Sequence, residues 1–379
     1  KGRNEDDSVF CKVVFRSVRQ VEIGNKFCMP DTNEVLTDSG WKTFKELTMK
    51  DKICSLVDNE IIEYVEPVGI YHFEHDGEMV SIQSQQIKST TTLNHKLYIQ
   101  KRDKKEYELA YAKDVMNKRI KFKKNGTKEG KELETITLGS SVFNMNAYLK
   151  LLAMFISDGW MDKRYTNSSV IALSFGKQRK INILKETCEE LGVKFRTLKY
   201  ARKECDGYDV KHYITDKDLG ESLKYLSVGA LNKYLPDFVW NLNKNQSKLL
   251  LETLISFDGS VGKTYTCYYT SSKKLADDVS RLALHAGYSG NVNTEHVNGD
   301  KFMIYGRECN INSDRYSVRI IKSKNNPMIN HSMSKKQNGQ EIKIINYKGV
   351  VSCVEVPSHV FYMRENGIPH WTGNSSRSG

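Results

Sequence analysis

Residues able to carry out acyl transfer stand close to both ends of this 379-residue chain. The thiol of Cys28 could attack the carbonyl of the preceding residue and turn that amide into a thioester. The change is uphill unless the amide is distorted and its nitrogen receives a proton. His95 can supply the proton, and Thr92 can donate a hydrogen bond to the strained peptide or its oxyanion. The sequence thus contains a nucleophile, an acid and a donor for one reaction.

Asn374 and Ser375 offer the complementary chemistry at the other end. The Ser375 hydroxyl could take the acyl group from the thioester and form a branched ester. The side-chain nitrogen of Asn374 could then attack its own main-chain carbonyl, which forms a succinimide and cleaves the 374–375 bond. The ester would afterwards shift to a stable amide. These steps require Cys28 and Asn374, at the two ends of the segment that would be released, to lie in one pocket.

Four motifs, in this order along the chain, resemble the sequence blocks of an intein, a protein-splicing element. They read FCMPDTNEVLTDSGWKTFKEL, TLNH, VVSCVEVPSHVF and WTGNS. The resemblance spans 347 residues and implies that Cys28 is the first intein residue, Asn374 the last, and Ser375 the first of the C-terminal flank. It also implies an all-β Hint fold shaped like a horseshoe, which would bring the two ends together.

The sequence departs from the intein pattern at two positions. Gly373 stands where a histidine usually precedes the terminal asparagine, so His359 is the first candidate to assist Asn cyclisation and His370 the second. Cys353 stands where an aspartate is usual, and its thiol could transfer protons near Cys28, position it, or form a disulfide with it.

Two further carboxylates occupy equivalent positions of an internal repeat. Asp158 and Asp258 each follow an apolar helix-like run, precede a glycine, and lie 100 positions apart. The order of helix, acidic end, strands and helix recurs around both. The repeat predicts two half-domains related by an approximate two-fold axis.

The runs LLAMFISDG and LLETLISFDG resemble the paired helices of a LAGLIDADG homing endonuclease. The resemblance implies that Asp158 and Asp258 reach adjacent sites. A shared divalent cation, for which Mg²⁺ is the first candidate, would relieve their repulsion there and activate water. The segment NKYLPDFV resembles the lysine-containing block of the family, which implies Lys233 as a cation at the scissile phosphate, with Lys322 or Lys324 as its symmetry mate. The implied substrate is double-stranded DNA, the homing site in the uninterrupted host gene.

The small residues Ala153 and Ser157 suit a close crossing of the two helices. Thr253 and Phe257 are bulkier than the family pattern. We therefore expect an offset helix interface that still delivers both carboxylates.

Periodicity indicates the elements that must position these residues. Residues 34–100 are a succession of short β-like runs separated by turns, and β texture returns after residue 340. Helical spacing predicts one apolar face on the helix before Asp158, and further helices that end at Gly192 and near Gly287. Residues 323–340 are polar and aperiodic, which predicts a linker or mobile loop.

The predicted fold class is multi-domain: an all-β Hint splicing domain split by an α+β LAGLIDADG endonuclease domain with a pseudo-two-fold repeat. The expected divisions are an N-terminal flank at 1–27, splicing parts at 28–140 and 326–374, the endonuclease domain at 141–325, and a C-terminal flank at 375–379.

Charge favours nucleic acid as a partner, because 58 Lys and Arg against 46 Asp and Glu give a net charge of +12. No apolar run is long enough to span a membrane. The eight widely spaced cysteines form no zinc-ligand pattern and indicate reduced thiols inside a cell. The missing initiator methionine predicts a fragment of a longer protein, and we expect the excised element to be monomeric.

Joined after excision, the flanks would read IGNKFSSRSG. This resembles a segment near the active centre of the second-largest subunit of a multisubunit RNA polymerase of the eukaryotic or large-virus type. The resemblance implies that Lys26 lies close to the catalytic centre of the host, that other polymerase subunits are partners, and that the host works in the nucleus or a viral factory.

Two alternatives stay open. The absent penultimate histidine suits a degenerate intein that binds DNA but no longer cuts it and splices slowly or not at all. An autoprocessing domain of the hedgehog kind would share the β fold, but the Asn374–Ser375 ending and the nuclease-like insertion argue against it.

Overall fold

The computed structural model describes residues 28–374 except 117, 163, 165–168, 202–206, 263–264, 305–306 and 331–338. Both flanks therefore lie outside the described residues, and with them the alternating apolar and basic residues 8–27, which predict a strand, and the nucleophile Ser375.

The chain before the insertion is built from short strands, in agreement with its alternating sequence. These strands are β1 (Met29–Pro30), β2 (Glu34–Thr37), β3 (Gly40–Thr43), β4 (Ile53–Val57), β5 (Ile61–Val65), β6 (Gly69–Gln83), β7 (Lys88–Thr92), β8 (Lys96–Lys101), β9 (Glu108–Tyr111), β10 (Ile120–Phe122), β11 (Thr135–Leu138) and β12 (Ser141–Asn144).

The inserted unit contains the α-helices. Its elements are α1 (Met145–Asp158), β13 (Gly159–Met161), β14 (Val170–Ser174), α2 (Gln178–Leu191), β15 (Phe195–Ala201), β16 (Tyr208–Thr215), α3 (Lys217–Leu223), α4 (Lys244–Asp258), β17 (Gly259–Val261), β18 (Thr266–Thr270), α5 (Lys273–His285), β19 (Ser289–His296), β20 (Lys301–Ile304), β21 (Arg307–Asn310) and β22 (Arg315–Ile321). The chain returns to strands at β23 (Met328–Ile329), β24 (Glu341–Glu355), β25 (Val360–Glu365) and β26 (Ile368–Gly373).

The two β parts interleave in common sheets although the insertion separates them in sequence. Strand β24 pairs antiparallel with β6 from Glu341↔Gln83 to Glu355↔Gly69. One sheet has the order β1-β24-β6-β7, and another runs β26-β25-β2-β4-β5. The predicted all-β domain split by an insertion is confirmed.

The inserted unit has two topologically identical halves. The sheet orders β13-β14-β16-β15 and β17-β18-β22-β19 use their strands in the same sequence relative to α1 and α4. Helices α1 and α4 pack against each other in one hydrophobic core. The predicted internal duplication is confirmed.

Local chemistry explains the ends of the paired helices. The side chains of Asn144 and Asn243 cap them by accepting hydrogen bonds from backbone N–H groups three residues on. At their other ends, a Cβ on Gly159 would lie 2.6 Å from the Cα of Phe155, and one on Gly259 would lie 2.7 Å from the carbonyl oxygen of Ile255. Glycine is therefore needed where each helix turns sharply into a strand.

Two local predictions need correction. Helix α1 is buried on nearly all sides and not on one face, because α4, α2 and strands surround it. The predicted linker contains a short strand, β23, since Ile329 fills the core next to β10. The hairpin β11–β12 contacts α1, so it packs with the inserted unit; the domain divisions themselves stay a prediction.

No described helix is long and apolar enough to cross a bilayer.

Candidate active sites

Thr92 holds Cys28 by two hydrogen bonds. The amide nitrogen of Cys28 donates to Thr92 Oγ1 at 2.9 Å, and the amide nitrogen of Thr92 donates to the Cys28 carbonyl at 2.8 Å. Both side chains are buried. Because the Cys28 nitrogen belongs to the bond that the predicted reaction breaks, the geometry brings the Thr92 hydroxyl to that bond.

His95 connects this junction to the other end of the element. Its backbone nitrogen donates to the Thr92 carbonyl at 3.0 Å, so the turn that begins at Thr92, the last residue of β7, contains both residues. Its fully buried ring has Nε2 2.9 Å from Thr372 Oγ1. Thr372 lies two residues before Asn374, and sequence reasoning missed it because a threonine in a strand gives no chemical signal.

Asn374 is fully buried, and His359 contacts it twice. His359 Nδ1 lies 3.1 Å from Asn374 Oδ1, and the His359 carbonyl accepts from the Asn374 nitrogen at 2.9 Å. The Asn374 Nδ2 donates to the Val356 carbonyl at 2.9 Å. Since an amide oxygen only accepts, the Nδ1 of His359 carries the proton in this contact.

His359 adopts an unusual backbone conformation, with a φ of +63°. Left-handed backbone is uncommon for a residue with a Cβ and concentrates at functional sites. Here it directs both the ring and the carbonyl of one exposed residue to Asn374.

The second candidate, His370, has a different environment. Its ring is fully buried and packs edge-on against Phe122, with centroids 5.5 Å apart. Burial lowers the pKa of His370 to about 3, so the ring is neutral near pH 7. No hydrogen bond joins His370 to Asn374 among the described residues, so the structure brings together the first candidate and not the second.

Packing explains why position 373 carries glycine. A Cβ on Gly373 would lie 2.4 Å from the carbonyl oxygen of Lys96 and 2.5 Å from Leu109 Cδ2. Backbone at that distance cannot yield cheaply, so the histidine that the family pattern calls for has no room here.

Cys353 lies across from Cys28. The register of β1 and β24, Met29↔Ser352, continues to place Cys28 opposite Cys353. Both are buried in one small cluster with Met79 and Val351, and no disulfide joins them.

The two repeat aspartates meet at the ends of α1 and α4, each near a lysine. Lys180 of α2 donates from Nζ to Asp158 Oδ2 at 2.6 Å. Lys233 donates from Nζ to the Ser157 carbonyl at 2.6 Å and interacts electrostatically with both carboxylates, Asp258 first. Sequence reasoning missed Lys180, although its place within the apolar stripe of α2 was a usable signal.

Mutual repulsion and burial mark the carboxylate pair. Burial first, then the charge of Asp158, raises the pKa of Asp258 to about 6. Burial also lowers the pKa of the Lys233 ammonium. Lys322 lies 3.5 Å from Glu252 instead, and Lys324 adopts left-handed backbone after β22. The lysine that forms an ion pair with one of the two carboxylates is Lys180, and the choice of Lys322 or Lys324 as symmetry mate of Lys233 stays a prediction.

The donor set suits Mg²⁺. This ion is commonly held by one or two carboxylates and completes its shell with water and substrate phosphate. Asp158 and Asp258 supply two carboxylates whose repulsion a cation would relieve. No group of three or more His, Cys, Asp or Glu side chains that could hold a metal occurs in the described part of the chain.

Basic and aromatic side chains share one face of the first half-sheet. The register aligns Trp160, Tyr213 and Arg196 in one row. Arg196 lies 5.3 Å from the Tyr213 ring centroid, and Lys211 lies 5.6 Å from that of Trp160 and 5.1 Å from that of Tyr200.

A cleft of about 520 Å³ in the second half is lined by Asp258, Tyr269, Thr270, Ser271, Glu295, His296, Arg315 and Tyr316.

Comparison with known proteins places part of the chain in a family. Residues 245–326 match the LAGLIDADG-like domain family. The chain is 30% identical, over 93% of its length, to the DNA-directed RNA polymerase subunit beta C-terminal section of Stigeoclonium helveticum, of which it covers 37%. It is 24% identical, again over 93% of its length, to the ATP-dependent Clp protease proteolytic subunit of Chlamydomonas moewusii, of which it covers 46%. The chain thus spans less than half the length of either relative.

Solved structures give weaker likenesses. The AceL NrdHF class 3 split intein, in a splice-inactive variant, has a TM-score of 0.31 and 8% identity, covering 93% of this chain and 100% of that one. The structure of I-DmoI in complex with DNA and Ca has a TM-score of 0.34 and 13% identity, covering 48% of this chain and 85% of that one.

Two relatives of unrelated description share nearly the whole of this chain, so the shared segment is a unit distinct from what either name describes. Residues 245–326 match the LAGLIDADG-like domain family, and the chain as a whole is an all-β part split by an inserted unit with two matching halves.

Proposed function

We propose that residues 28–374 excise themselves and join the flanking segments. One observation carries the proposal: hydrogen bonds connect Cys28 to Thr92, the Thr92 turn to His95, and His95 to Thr372, two residues before Asn374. Reactive residues that are 346 positions apart in sequence thus belong to one buried network. Such proximity is what a reaction at both ends needs.

The first step forms a bond between the Cys28 sulfur and the carbonyl carbon of residue 27. The carbon–nitrogen bond to Cys28 breaks, the thiol loses its proton, and the Cys28 nitrogen gains one. We assign delivery of that proton to His95, whose Nε2 is engaged by Thr372 and orients the ring. Thr92 contacts the same nitrogen and holds the amide in place. Cys353, opposite Cys28, is assigned to proton transfer or positioning there.

The later steps transfer the acyl group to Ser375 and cleave the bond after Asn374. The Ser375 hydroxyl oxygen bonds to the thioester carbon, and Cys28 regains its thiol. The Asn374 Nδ2 then bonds to its own main-chain carbonyl carbon, and the bond to Ser375 breaks with a proton passed to the Ser375 nitrogen. His359, at Asn374 Oδ1, orients the amide and takes the role of the missing penultimate histidine.

Variants at each junction test splicing. In a precursor with intact flanks, Cys28→Ala should block the first junction and leave cleavage after Asn374. Asn374→Ala should block that cleavage and leave the thioester or the branched ester on Ser375, both of which hydroxylamine cuts. Mass measurement distinguishes these products. A precursor in which both variants behave like the unchanged chain would contradict the assignment.

We also propose that the inserted unit hydrolyses duplex DNA. Asp158 and Asp258 would hold Mg²⁺, and the chemistry that the bound ion supplies is activation of water and neutralisation of phosphate charge. In the hydrolysis, water adds to phosphorus and one phosphorus–oxygen bond breaks. Lys180 and Lys233 place one ammonium near each carboxylate to stabilise the developing charge.

The nuclease is tested on the uninterrupted host gene with Mg²⁺. We expect a cut at the junction where the element inserts, lost in Asp158→Asn and Asp258→Asn. Binding without cutting by the unchanged protein would favour the degenerate intein. The ion pair of Lys180 with Asp158 and the electrostatic interaction of Lys233 with Asp258 support the active form.

The host protein is a separate proposal. The joined flanks IGNKFSSRSG, which resemble a polymerase segment, support a polymerase subunit as host with its other subunits as partners, and one relative is described as an RNA polymerase beta section. The nucleus or a viral factory stays the proposed location. Sequencing the gene on both sides of the element tests this, because a polymerase reading frame should continue across it.

A further inference from the structure

Lys124 is a fully buried lysine that the reaction does not use. Its Nζ donates to the Gln86 carbonyl at 2.6 Å and to Asn291 Oδ1 at 2.7 Å. No carboxylate of the described residues forms an ion pair with it. Burial lowers the pKa of Lys124 to about 7, and burying its charged form costs free energy unless its partners are well placed, so a lysine here needs an explanation beyond packing.

The partners of Lys124 belong to different units. Gln86 lies in the loop before β7, the strand that carries Thr92, whereas Asn291 lies on β19 of the inserted unit. Asn291 Nδ2 also donates to Gln86 Oε1 at 3.2 Å. The ammonium therefore closes a small network that joins the splicing domain to the insertion.

The chain around Lys124 supports the strand that leads to Asn374. We call residues 122–125 the bridge segment. The Trp371 nitrogen donates to the Lys123 carbonyl at 3.1 Å, and Trp371 Nε1 donates to the Asn125 carbonyl at 2.9 Å. Tyr362 on the neighbouring strand donates from its hydroxyl to the Lys124 carbonyl at 2.8 Å. The bridge segment thus fixes β26 three residues before the junction.

A second contact ties the same hairpin to β19. The Val292 nitrogen donates to the Gly367 carbonyl at 2.8 Å in the turn between β25 and β26. Gly367 has a φ of +76°, and a Cβ there would lie 2.2 Å from the Val292 carbonyl oxygen. Two adjacent residues of β19 therefore contact the β25–β26 hairpin. Val292 contacts it directly, and Asn291 contacts it through Lys124.

We propose that Lys124 is a positioning residue for cleavage after Asn374: its ammonium fixes the bridge segment, and with it the final strand, against Asn291 of the inserted unit. The proposal rests on the proposed splicing function. It makes the insertion a part of the scaffold that aligns the C-terminal junction.

The test separates the two junctions in the full chain with its flanks. Cys28→Ala isolates cleavage after Asn374, and Asn374→Ala isolates the reaction at the Cys28 junction, which begins with thioester formation. Into each we introduce Lys124→Met, which keeps the stem but removes the charged end, and Lys121→Met, an exposed control three residues earlier on β10. We expect Lys124→Met to slow C-terminal cleavage by up to about 100-fold, as small misplacements do. Thioester formation should change less than about twofold, and the control should match its parent.

Asn291→Leu supplies the second variant should Lys124→Met fail to fold. Asn291→Leu should also slow cleavage after Asn374. A variant that carries both substitutions should cleave no more slowly than the slower of the two single variants, because both substitutions remove the same contact between Lys124 and Asn291. Equal slowing of both junctions together with a lower melting temperature would overturn the proposal, as would no effect on either. An unchanged precursor that cleaves at neither junction would instead refute the splicing function itself.

Discussion

The histidine that contacts Asn374 comes from a turn and not from the preceding residue. His359 reaches the amide because its left-handed backbone directs ring and carbonyl to one side chain. Its place in the SHVF run allowed the sequence to rank it above His370. The backbone conformation that makes it effective has no sequence signature, so only the structure explains the ranking.

Replacing His359 should slow cleavage after Asn374. We expect His359→Ala to lower its rate by about 100-fold or more, as loss of a general acid–base group does. The rate is followed by mass in the Cys28→Ala precursor. His296→Ala, a histidine of the inserted unit, should leave the rate unchanged. Equal rates for His359→Ala and its parent would remove His359 from the reaction.

Restoring the usual penultimate histidine should harm this chain. Gly373→His places a Cβ against the Lys96 carbonyl and Leu109, so we expect slower C-terminal cleavage and a lower melting temperature. Gly373→Ala, which adds the Cβ alone, should show most of the same loss. Faster cleavage by Gly373→His would show that the strand shifts easily and that the steric explanation is incorrect.

Among the elements, the helices that end at the two aspartates were the most predictable part. Their apolar spacing and their Asp-Gly ends recur after 100 positions, and the structure ends both helices there. Lys180 was less predictable, since a lysine on a helix is ordinarily a solvated residue. It approaches Asp158 only because α2 packs against α1, a tertiary relation that periodicity does not contain.

Lys180 should matter for DNA cleavage and its helix neighbour should not. We expect Lys180→Met to slow Mg²⁺-dependent cleavage of the uninterrupted host gene by about 100-fold. Lys185→Met, an exposed position on the same helix, should cleave like the unchanged protein. Matching losses in both variants would indicate general weakening of DNA binding instead of a role at the carboxylates.

Asp258 should make stability depend on pH. Its pKa is raised to about 6 in the fold, above the ordinary 3.8, so its ionisation opposes folding increasingly as the pH rises from about 4 to about 6. Asp258→Asn should therefore melt at a higher temperature than the unchanged protein at pH 8 without metal. Thermal denaturation across pH should show this difference vanishing near pH 4. A constant difference would contradict the raised pKa.

At the scale of the whole molecule, the division into a split β domain and an inserted unit was predictable from the sequence. The contacts between the two units were not. The split splicing domain follows from β texture at both ends, with helical texture between them. The contacts include those of Arg364, which binds Glu34 of the splicing domain and Asp277 of α5 at 2.6 Å each. The contact with Asp277, which joins the two units, spans 87 positions and the contact with Glu34 spans 330, and periodicity reports neither.

Self-excision is the central claim, and the intact mass of the unchanged precursor over time tests it most directly. We predict that the precursor mass disappears while two products appear together: residues 1–27 joined to 375–379, and the free 347-residue element. A precursor that stays at its full mass, or that only falls apart at single junctions without a joined flank, would contradict splicing.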